Sequence, residues 1–226
     1  MKHSPVTYPF LRLRNSMHAM FPEMSETLES LRQAWHFKRL IKRSGYQMPL
    51  PAFIKRSIIK RHLLDNNLQT LVETGTQYGD TPWLFRNELA EIWSIELSPM
   101  LAKLARKRFR RYPHIHIVQG DSSDCLSEIV KKLGNPVLFW LDGHYSAGIT
   151  ARGSLDCPIY KELSCIFTQC KQPYIVLIDD ARSFGTDKDY PTLAELGSFV
   201  RETSKDADLK VDNDIIFIRS SAFLSS

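Results

Sequence analysis

The sequence has no apolar run close to the roughly 20 residues that a membrane-spanning helix needs, so it predicts no transmembrane segment. Its first residues, MKHSPVTYPFLRLRNSMHAMF, contain neither a continuous apolar core nor a small-residue cleavage site, and they predict no signal peptide. The four cysteines form no C-x-x-C pair, and without an export signal we expect free thiols. We accordingly expect a cytoplasmic protein.

Two common phosphate-binding motifs are also missing. The stretch VETGTQYGDT places Gly75 and Gly79 four residues apart, but Gln77 stands where the dinucleotide fingerprint G-x-G-x-x-G needs its second glycine. No Gly-Lys-Ser/Thr follows, which excludes a P-loop. What remains is the pattern E-x-G-x-x-x-G, starting at Glu73. It fits either a loop that approaches a ligand closely or a structural turn between a strand and a helix.

Positive charge is unevenly distributed along the 226 residues, whose net charge is +5. Residues 1–70 contain twelve Lys or Arg and four Asp or Glu, and residues 101–111 contain six basic residues and no acid. The rest of the chain is net acidic. The basic segments indicate either contact with nucleic acid, an anionic membrane surface or an anionic substrate, or simply solvated helix faces.

The hydrophobic pattern divides the chain into a helical extension, residues 1–65, and an α/β domain, residues 66–226. From residue 68, short apolar runs alternate with helical stretches at about 80–90, 98–111, 123–133, 156–169 and 191–204, which is typical of βαβ units and a parallel sheet. The candidate strands are Thr70–Thr74, Ile92–Glu96, His114–Gln119, Val137–Leu141, Tyr174–Ile178, and a closing pair near Leu209–Val211 and Ile215–Ile218.

Acidic residues stand at the ends of the second and third candidate strands. Glu96 lies 23 residues after Glu73, and an acid about 20 residues beyond a glycine turn can bind a ribose diol. The alternative is an acid favoured by a helix N-terminus, although Ser98 is the better cap. Asp121 with Ser122 can contact an adenine ring. The alternative there is helix capping, which Ser123 or Asp124 can also perform.

Three more acids follow the fourth and fifth candidate strands. Asp142 ends the run FWLD, and Asp179 and Asp180 end YIVLIDD. Neighbouring strand ends lie about 5 Å apart, so these carboxylates should converge and repel one another unless a positive charge lies among them. Mg²⁺ or another hard divalent cation binds such oxygen ligands. The alternative is that Asp179 and Asp180 merely begin a loop.

These motifs, in this order, resemble class I S-adenosylmethionine-dependent methyltransferases over residues 68–219. The three aspartates resemble those of the metal-dependent O-methyltransferases of the catechol, caffeoyl-coenzyme A and macrolide- or aminocoumarin-sugar types. The resemblance implies a Rossmann-like, doubly wound, mostly parallel seven-stranded sheet with an antiparallel last strand. It also implies that S-adenosylmethionine binds Glu73, Gly75, Thr76, Gly79, Glu96, Asp121, Ser122 and Asp142, and that Mg²⁺ binds Asp142, Asp179 and Asp180.

His144 is the candidate catalytic base, together with Asp142 in the reaction centre. Sugar-type relatives carry a base at or near this position, whereas catechol-type relatives carry a lysine one residue later, where this chain has Tyr145. The alternative is that His144 only hydrogen-bonds the metal ligands. Arg152 and Arg182 either face an anionic group of the substrate or pair with an acid of the site. The N-terminal helices either pack over the cofactor or form contacts with a second copy of the chain.

The resulting hypothesis is a Mg²⁺-dependent O-methyltransferase that acts on a hydroxyl of a small molecule or sugar. A nucleic-acid methyltransferase is the first alternative. Against it, Asp-Gly-His-Tyr follows the fourth strand, where amino-directed nucleic-acid enzymes carry Asn/Asp-Pro-Pro-aromatic and cytosine-C5 enzymes carry Pro-Cys. A non-catalytic ligand-binding relative of the fold is the second alternative.

Overall fold

A computed structural model describes residues 49–142, 158–187, 190–204 and 207–223. The chain divides into two compact units, Met1–Ile54 and Lys55–Ser226. The N-terminal helices were expected either to pack over the cofactor or to contact a second copy of the chain. This prediction concerns mainly residues 1–48, which lie outside the described residues. Within the described ranges, no helix is both long enough and apolar enough to cross a bilayer.

Helices and strands alternate along the second unit, after a helix that begins shortly before it. In chain order they are α1 Ala52–Asp65, β1 Thr70–Thr74, α2 Asp80–Phe85, β2 Glu91–Glu96, α3 Pro99–Arg108, β3 Ile115–Gln119, α4 Ser122–Val130, β4 Val137–Leu141, α5 Ile159–Gln169, β5 Tyr174–Ile178, α6 Leu193–Thr203, β6 Asp208–Asp212 and β7 Ile215–Arg219. Short 3₁₀ turns cover Ala181–Ser183 and Ser221–Phe223.

All seven strands form one sheet in the order β3-β2-β1-β4-β5-β7-β6. The first five strands in this order, β3, β2, β1, β4 and β5, run parallel to one another, and β7 is antiparallel to both β5 and β6. The predicted doubly wound, mostly parallel sheet with an antiparallel last strand is therefore confirmed. The strand order reverses between β1 and β4, and ligands of such sheets bind at the carboxyl ends of the strands around this point.

The core lies around the three central strands, β1, β4 and β5, whose residues are all buried. β4 and β5 read VLFWL and YIVLI, continuous apolar runs of the kind that strands covered by helices on both faces require. Their bounds match the sequence prediction. The tight burial makes these strands a rigid base for the residues that follow them.

Helix ends differ more from the prediction, and local hydrogen bonds explain why. The helix expected over 80–90 ends at Phe85, because the amides of Ala90 and Glu91 both donate to the carbonyl of Gln69 and so draw the chain into β2. α6 begins with a capping box. Thr192 Oγ1 accepts from the amide of Glu195 at 3.2 Å, while the amide of Thr192 donates to Glu195 Oε2 at 2.8 Å.

Candidate functional site at the carboxyl edge of the sheet

Strand register places three chain segments side by side at the carboxyl edge. Thr74 of β1 pairs with Leu141 of β4, which in turn pairs with Ile178 of β5. Hydrogen bonds continue one residue further, because the amide of Asp142 donates to Thr74 O at 3.2 Å and that of Asp179 donates to Leu141 O at 3.1 Å. The backbone therefore delivers Asp142 and Asp179 to the same place as the glycine loop that follows β1.

Asp142, Asp179 and Asp180 form a compact acidic cluster. Each offers a carboxylate oxygen, and these oxygens lie within 4.8 Å of one another. Consecutive strand residues point to opposite faces, so a straight chain would separate Asp179 from Asp180. Here Asp180 adopts the left-handed conformation (φ 57°) and its amide donates to Asp179 Oδ1 at 2.8 Å. This turn lets two neighbouring residues contribute to one cluster.

A lysine that sequence reasoning missed completes the cluster. Lys55, in the first turns of α1, donates from Nζ to Asp179 Oδ2, and its Nζ lies 3.4 Å from Asp180 Oδ1. The side chain of Lys55 is 17% exposed and that of Asp179 is 0% exposed. The available signal was helical spacing, since Lys55 precedes the buried Ile59 and Leu63 by four and eight residues and so lies on the same helix face.

The buried side of α1 is narrow. Its buried residues are Ile59, His62 and Leu63, whereas Leu64, the apolar residue next to Leu63, is 66% exposed. A helix buries a stripe of residues spaced by three and four positions, and Leu64 falls outside that stripe.

The charges of the cluster are mutually adjusted. Burial acts to lower the pKa of Lys55, but the neighbouring carboxylates, Asp179 foremost, outweigh it and raise that pKa. Burial, reinforced by the charge of Asp179, raises the pKa of Asp142 well above its usual range. Burial also raises the pKa of Asp179, against the opposing effect of Lys55. For Asp180, burial is outweighed by Lys55 and Arg182, which lower its pKa.

Arg182 pairs with the acids of the site, one of the two roles weighed for it from the sequence. Its Nη1 donates to Asp180 Oδ1 at 2.9 Å and also to Asp214 Oδ2. Asp214 is held by the backbone as well, because its Oδ1 accepts from the amide of Arg182 at 2.9 Å. Arg182 therefore forms a fixed bridge between the cluster and the residue preceding β7. Arg152 lies outside the described residues, as does His144.

The loop after β1 has positive φ, the conformation that favours glycine, at three alternate positions. Gly75, Gln77 and Gly79 all have positive φ, at 90°, 48° and 75°. Gln77 thus adopts the conformation for which glycine is usually needed, at a cost of roughly 1–2 kcal/mol. Its amide donates to Glu96 Oε2 at 2.7 Å, while the amide of Ser98 donates to Glu96 Oε1 at 2.9 Å. Glu96 therefore ties the end of β2 to the loop.

Glu73 supports this loop from within the core. It is 2% exposed, and its Oε1 accepts from the hydroxyl of Ser94 at 2.5 Å. The Ser94 hydroxyl in turn lies 2.6 Å from Thr76 Oγ1, so three side chains form one buried chain of hydrogen bonds. Burial raises the pKa of Glu73 to about 8. Glu73 is therefore protonated at neutral pH and adds no charge below the loop.

The helix that follows β3 is capped by a different residue from those expected. Asp121 itself caps α4, because its Oδ1 accepts from the amide of Ser123 at 3.0 Å and from the Ser123 hydroxyl at 2.8 Å. The capping role offered to Ser123 or Asp124 is thus wrong, since an aspartate directly before the first turn reaches its amides best. Ser122 is the first residue of α4. Ser98 caps α3, as predicted.

A second buried acid was also missed. Glu162 of α5 is 0% exposed, and within the described part of the chain neither of its carboxylate oxygens has a hydrogen-bond partner of normal geometry. Burial raises the pKa of Glu162 to about 7, although the nearby hydroxyls of Ser122 and Thr74 partly oppose that effect. Glu162 thus lies close to Thr74, the last residue of β1, and to Ser122, the first residue of α4.

Part of the basic run at residues 101–111 makes contacts within the protein. Arg106 Nε donates to the carbonyl of Ile117 at 3.1 Å, and Arg108 Nη1 donates to Asp80 Oδ1 at 2.9 Å. The guanidinium of Arg108 also lies 4.8 Å from the ring centre of Trp83. These two arginines have structural roles, which favours the interpretation of the run as a solvated helix face with anchoring contacts.

Comparison with solved structures places this architecture among known folds. The chain is similar to an O-methyltransferase from Bacillus cereus in complex with SAH (TM-score 0.56, 12% identity, 92% of this chain and 96% of that one). It is also similar to the SAH-bound methyltransferase PaMTH1 from Podospora anserina (TM-score 0.53, 15% identity, 97% of this chain and 99% of that one). A third similar structure is a provisionally assigned caffeoyl-CoA O-methyltransferase from Staphylococcus aureus (TM-score 0.52, 13% identity, 86% of this chain and 98% of that one).

The chain has the class I methyltransferase fold. At these identities the likeness concerns the fold, and it confirms the resemblance noted from the sequence at that level. No protein-family model matches the chain, and no curated protein matches it at a significant level. In this fold the glycine loop and the acidic cluster flank the topological switch point, where ligands of doubly wound sheets bind.

Proposed function

We propose that the protein is an S-adenosylmethionine-dependent methyltransferase that methylates a hydroxyl of a small molecule or sugar. The observation that carries the proposal is the acidic cluster of Asp142, Asp179 and Asp180, which lies beside the glycine loop at the carboxyl edge of the sheet. A methyl donor on the loop and a hydroxyl at the cluster would then be neighbours. Holding two reactants in this way supplies a large part of the rate enhancement of a transfer reaction.

The loop and the adjacent strand ends suit the methyl donor. Gly75 and Gly79 have positive φ values, which form a tight turn of the kind at which a backbone can approach a ligand closely. Each oxygen of Glu96 accepts one backbone amide and keeps a lone pair for a ribose hydroxyl. Asp121 and Ser122 would face the adenine, while Thr76 and Glu73 would support the loop.

The cluster also suits a hard divalent cation. Three carboxylates within 4.8 Å of one another provide the oxygen donors that Mg²⁺ prefers at about 2.1 Å, with further positions for water or substrate. The ammonium group of Lys55 at the same place supports the view that this cluster attracts positive charge. When bound, the metal would lower the pKa of the substrate hydroxyl and orient it.

In the proposed reaction the carbon–sulfur bond of the donor breaks as a carbon–oxygen bond forms. The hydroxyl proton passes to a base, for which His144 remains the candidate. The chain's own contribution is to hold the cluster on two rigid central strands and to fix Asp180 through Arg182. Such fixed polar groups need no rearrangement during the reaction.

Cofactor binding is tested first, because it needs no knowledge of the acceptor. Calorimetry with SAH should give a measurable affinity for the wild-type protein and a loss of about tenfold or more for Glu96→Ala, which removes a charged hydrogen-bond acceptor. Glu202→Ala, an exposed change on α6, is the matched control and should bind like the wild type. Absence of SAH binding would favour a non-catalytic relative of the fold.

Transfer itself is tested with methyl-labelled donor and a panel of sugars and vicinal diols. Product formation should stop in EDTA, return with Mg²⁺, and be lost in Asp179→Asn, while the exposed control Asp187→Asn keeps it. Methyl transfer that EDTA does not change would refute the metal requirement, but it would still support methyltransferase activity. Methylation of RNA or DNA in place of the panel, with steep salt dependence, would favour the nucleic-acid alternative.

A further inference from the structure

We propose that Lys55 is an internal counter-cation that competes with a divalent metal ion for the Asp142–Asp179–Asp180 cluster. The inference rests on the proposed metal site and adds a residue, outside the strand ends, that sets the affinity of that site. It is carried by the position of a single ammonium group.

The geometry makes the two cations mutually exclusive. Lys55 Nζ contacts Asp179 Oδ2 and lies 3.4 Å from Asp180 Oδ1. A metal ion about 2.1 Å from the same oxygens would use the same lone pairs and would lie next to the ammonium group. Two positive charges a few ångströms apart repel strongly in a partly buried site. Metal binding therefore requires the ammonium group to withdraw.

The two basic residues of the cluster differ in their freedom to move. Arg182 is anchored outside the cluster by Asp214, which accepts hydrogen bonds from both its side chain and its backbone amide. Within the described residues, both ion pairs of Lys55 are with the cluster itself. Lysine carries its charge on a flexible four-carbon stem, and this one retains some solvent exposure, so Nζ can leave while the stem stays packed.

Competition of this kind has a definite consequence for affinity. The free energy of breaking the Lys55 ion pairs is subtracted from the free energy of metal binding. The metal-free protein is in turn stabilised, because Lys55 offsets the repulsion among the three carboxylates. Removal of the lysine charge should therefore raise metal affinity and lower the stability of the metal-free protein at the same time.

The decisive experiment compares Mn²⁺ binding to the full-length wild-type protein, Lys55→Met and Lys55→Arg by calorimetry after removal of metals with a chelator. Lys55→Met keeps an unbranched side chain without charge and should bind Mn²⁺ about tenfold tighter than the wild type. Lys55→Arg keeps the charge and should stay within about threefold of the wild type. Equal or weaker binding by Lys55→Met would overturn the inference.

Thermal melting provides a second readout that does not depend on activity. In EDTA, Lys55→Met should melt below the wild type, and saturating Mn²⁺ should raise its melting temperature by more than it raises that of the wild type. An equal Mn²⁺ effect on both proteins contradicts competition.

The outcomes separate this inference from the proposed function. Equal Mn²⁺ affinities that Asp179→Asn abolishes would refute competition and leave the metal site. No Mn²⁺ binding by any variant, with methyl transfer unaffected by EDTA, would refute the competition and the metal while leaving the methyltransferase.

Discussion

The buried acid Glu162 gives a quantitative prediction for the substitution Glu162→Gln. Its carboxyl group is fully buried, and the nearby hydroxyls of Ser122 and Thr74 compensate a negative charge there only in part. Burial therefore raises its pKa from the ordinary 4.5 to about 7 in the folded protein. The folded state binds the proton more tightly than the unfolded state does, so stability should fall as the pH rises through this window.

The size of the effect follows from the two pKa values. Below pH 4.5 both states are protonated, and above about pH 7 both are ionised, so the change is confined to the interval between. Each pH unit of that interval corresponds to about 1.4 kcal/mol, which gives a loss of about 3 kcal/mol in the free energy of unfolding across it. Glutamine has nearly the same shape and does not ionise. The stability of Glu162→Gln relative to the wild type should therefore improve by about 3 kcal/mol from pH 4.5 to pH 7.5.

The assay is urea unfolding at several pH values, followed by circular dichroism, on ligand-free protein. The quantity of interest is the difference between variant and wild type, because the other titrating groups cancel in it. Glu202→Gln, an exposed change, is the control and should run parallel to the wild type at every pH. A difference between Glu162→Gln and the wild type that stays constant from pH 4.5 to 7.5 would refute the reasoning.

Three further predictions concern stability and are measured by urea unfolding at neutral pH. Gly79→Ala should cost about 2 kcal/mol, because its φ is +75° and a Cβ would lie 2.7 Å from an aromatic ring carbon, whereas Gly134→Ala, with open space around it, should change stability by less than about 0.5 kcal/mol. Ser94→Ala should cost about 2 kcal/mol, because it removes one of the hydroxyl partners of the buried Glu73. Thr192→Ala should cost about 1 kcal/mol through loss of the α6 cap. Similar costs for both glycine variants would contradict the first prediction. Losses of stability below about 0.3 kcal/mol would contradict the predictions for Ser94→Ala and Thr192→Ala.

The sheet could be predicted well from the sequence, because its central strands are continuous apolar runs that end at charged residues. VLFWL stops at Asp142 and YIVLI at Asp179, and the structure keeps both boundaries. The convergence of these acids followed from strand spacing alone. Helix ends were harder, since a backbone bond such as that from Ala90 to Gln69 leaves no mark in the local pattern.

The residues that sequence reasoning missed share a physical reason. Lys55 is 124 positions from Asp179, and its role depends on how α1 packs, which local spacing does not reveal. Glu162 lies in an amphipathic helix, where a glutamate ordinarily faces solvent. Asp180 looked like the start of a loop or a ligand, and only its left-handed backbone explains how it joins its neighbour.

The backbone hydrogen bonds at Asp142 and Asp179 let the sheet fix the distance between these two residues. The separation of the two carboxylates derives from interstrand spacing, which sequence changes elsewhere scarcely alter. Under the proposed function, the acceptor could change through changes in the segment that follows Asp142, while the distance between Asp142 and Asp179 stays constant. A test of new specificity on this chain should therefore vary that segment and leave β4 and β5 unchanged.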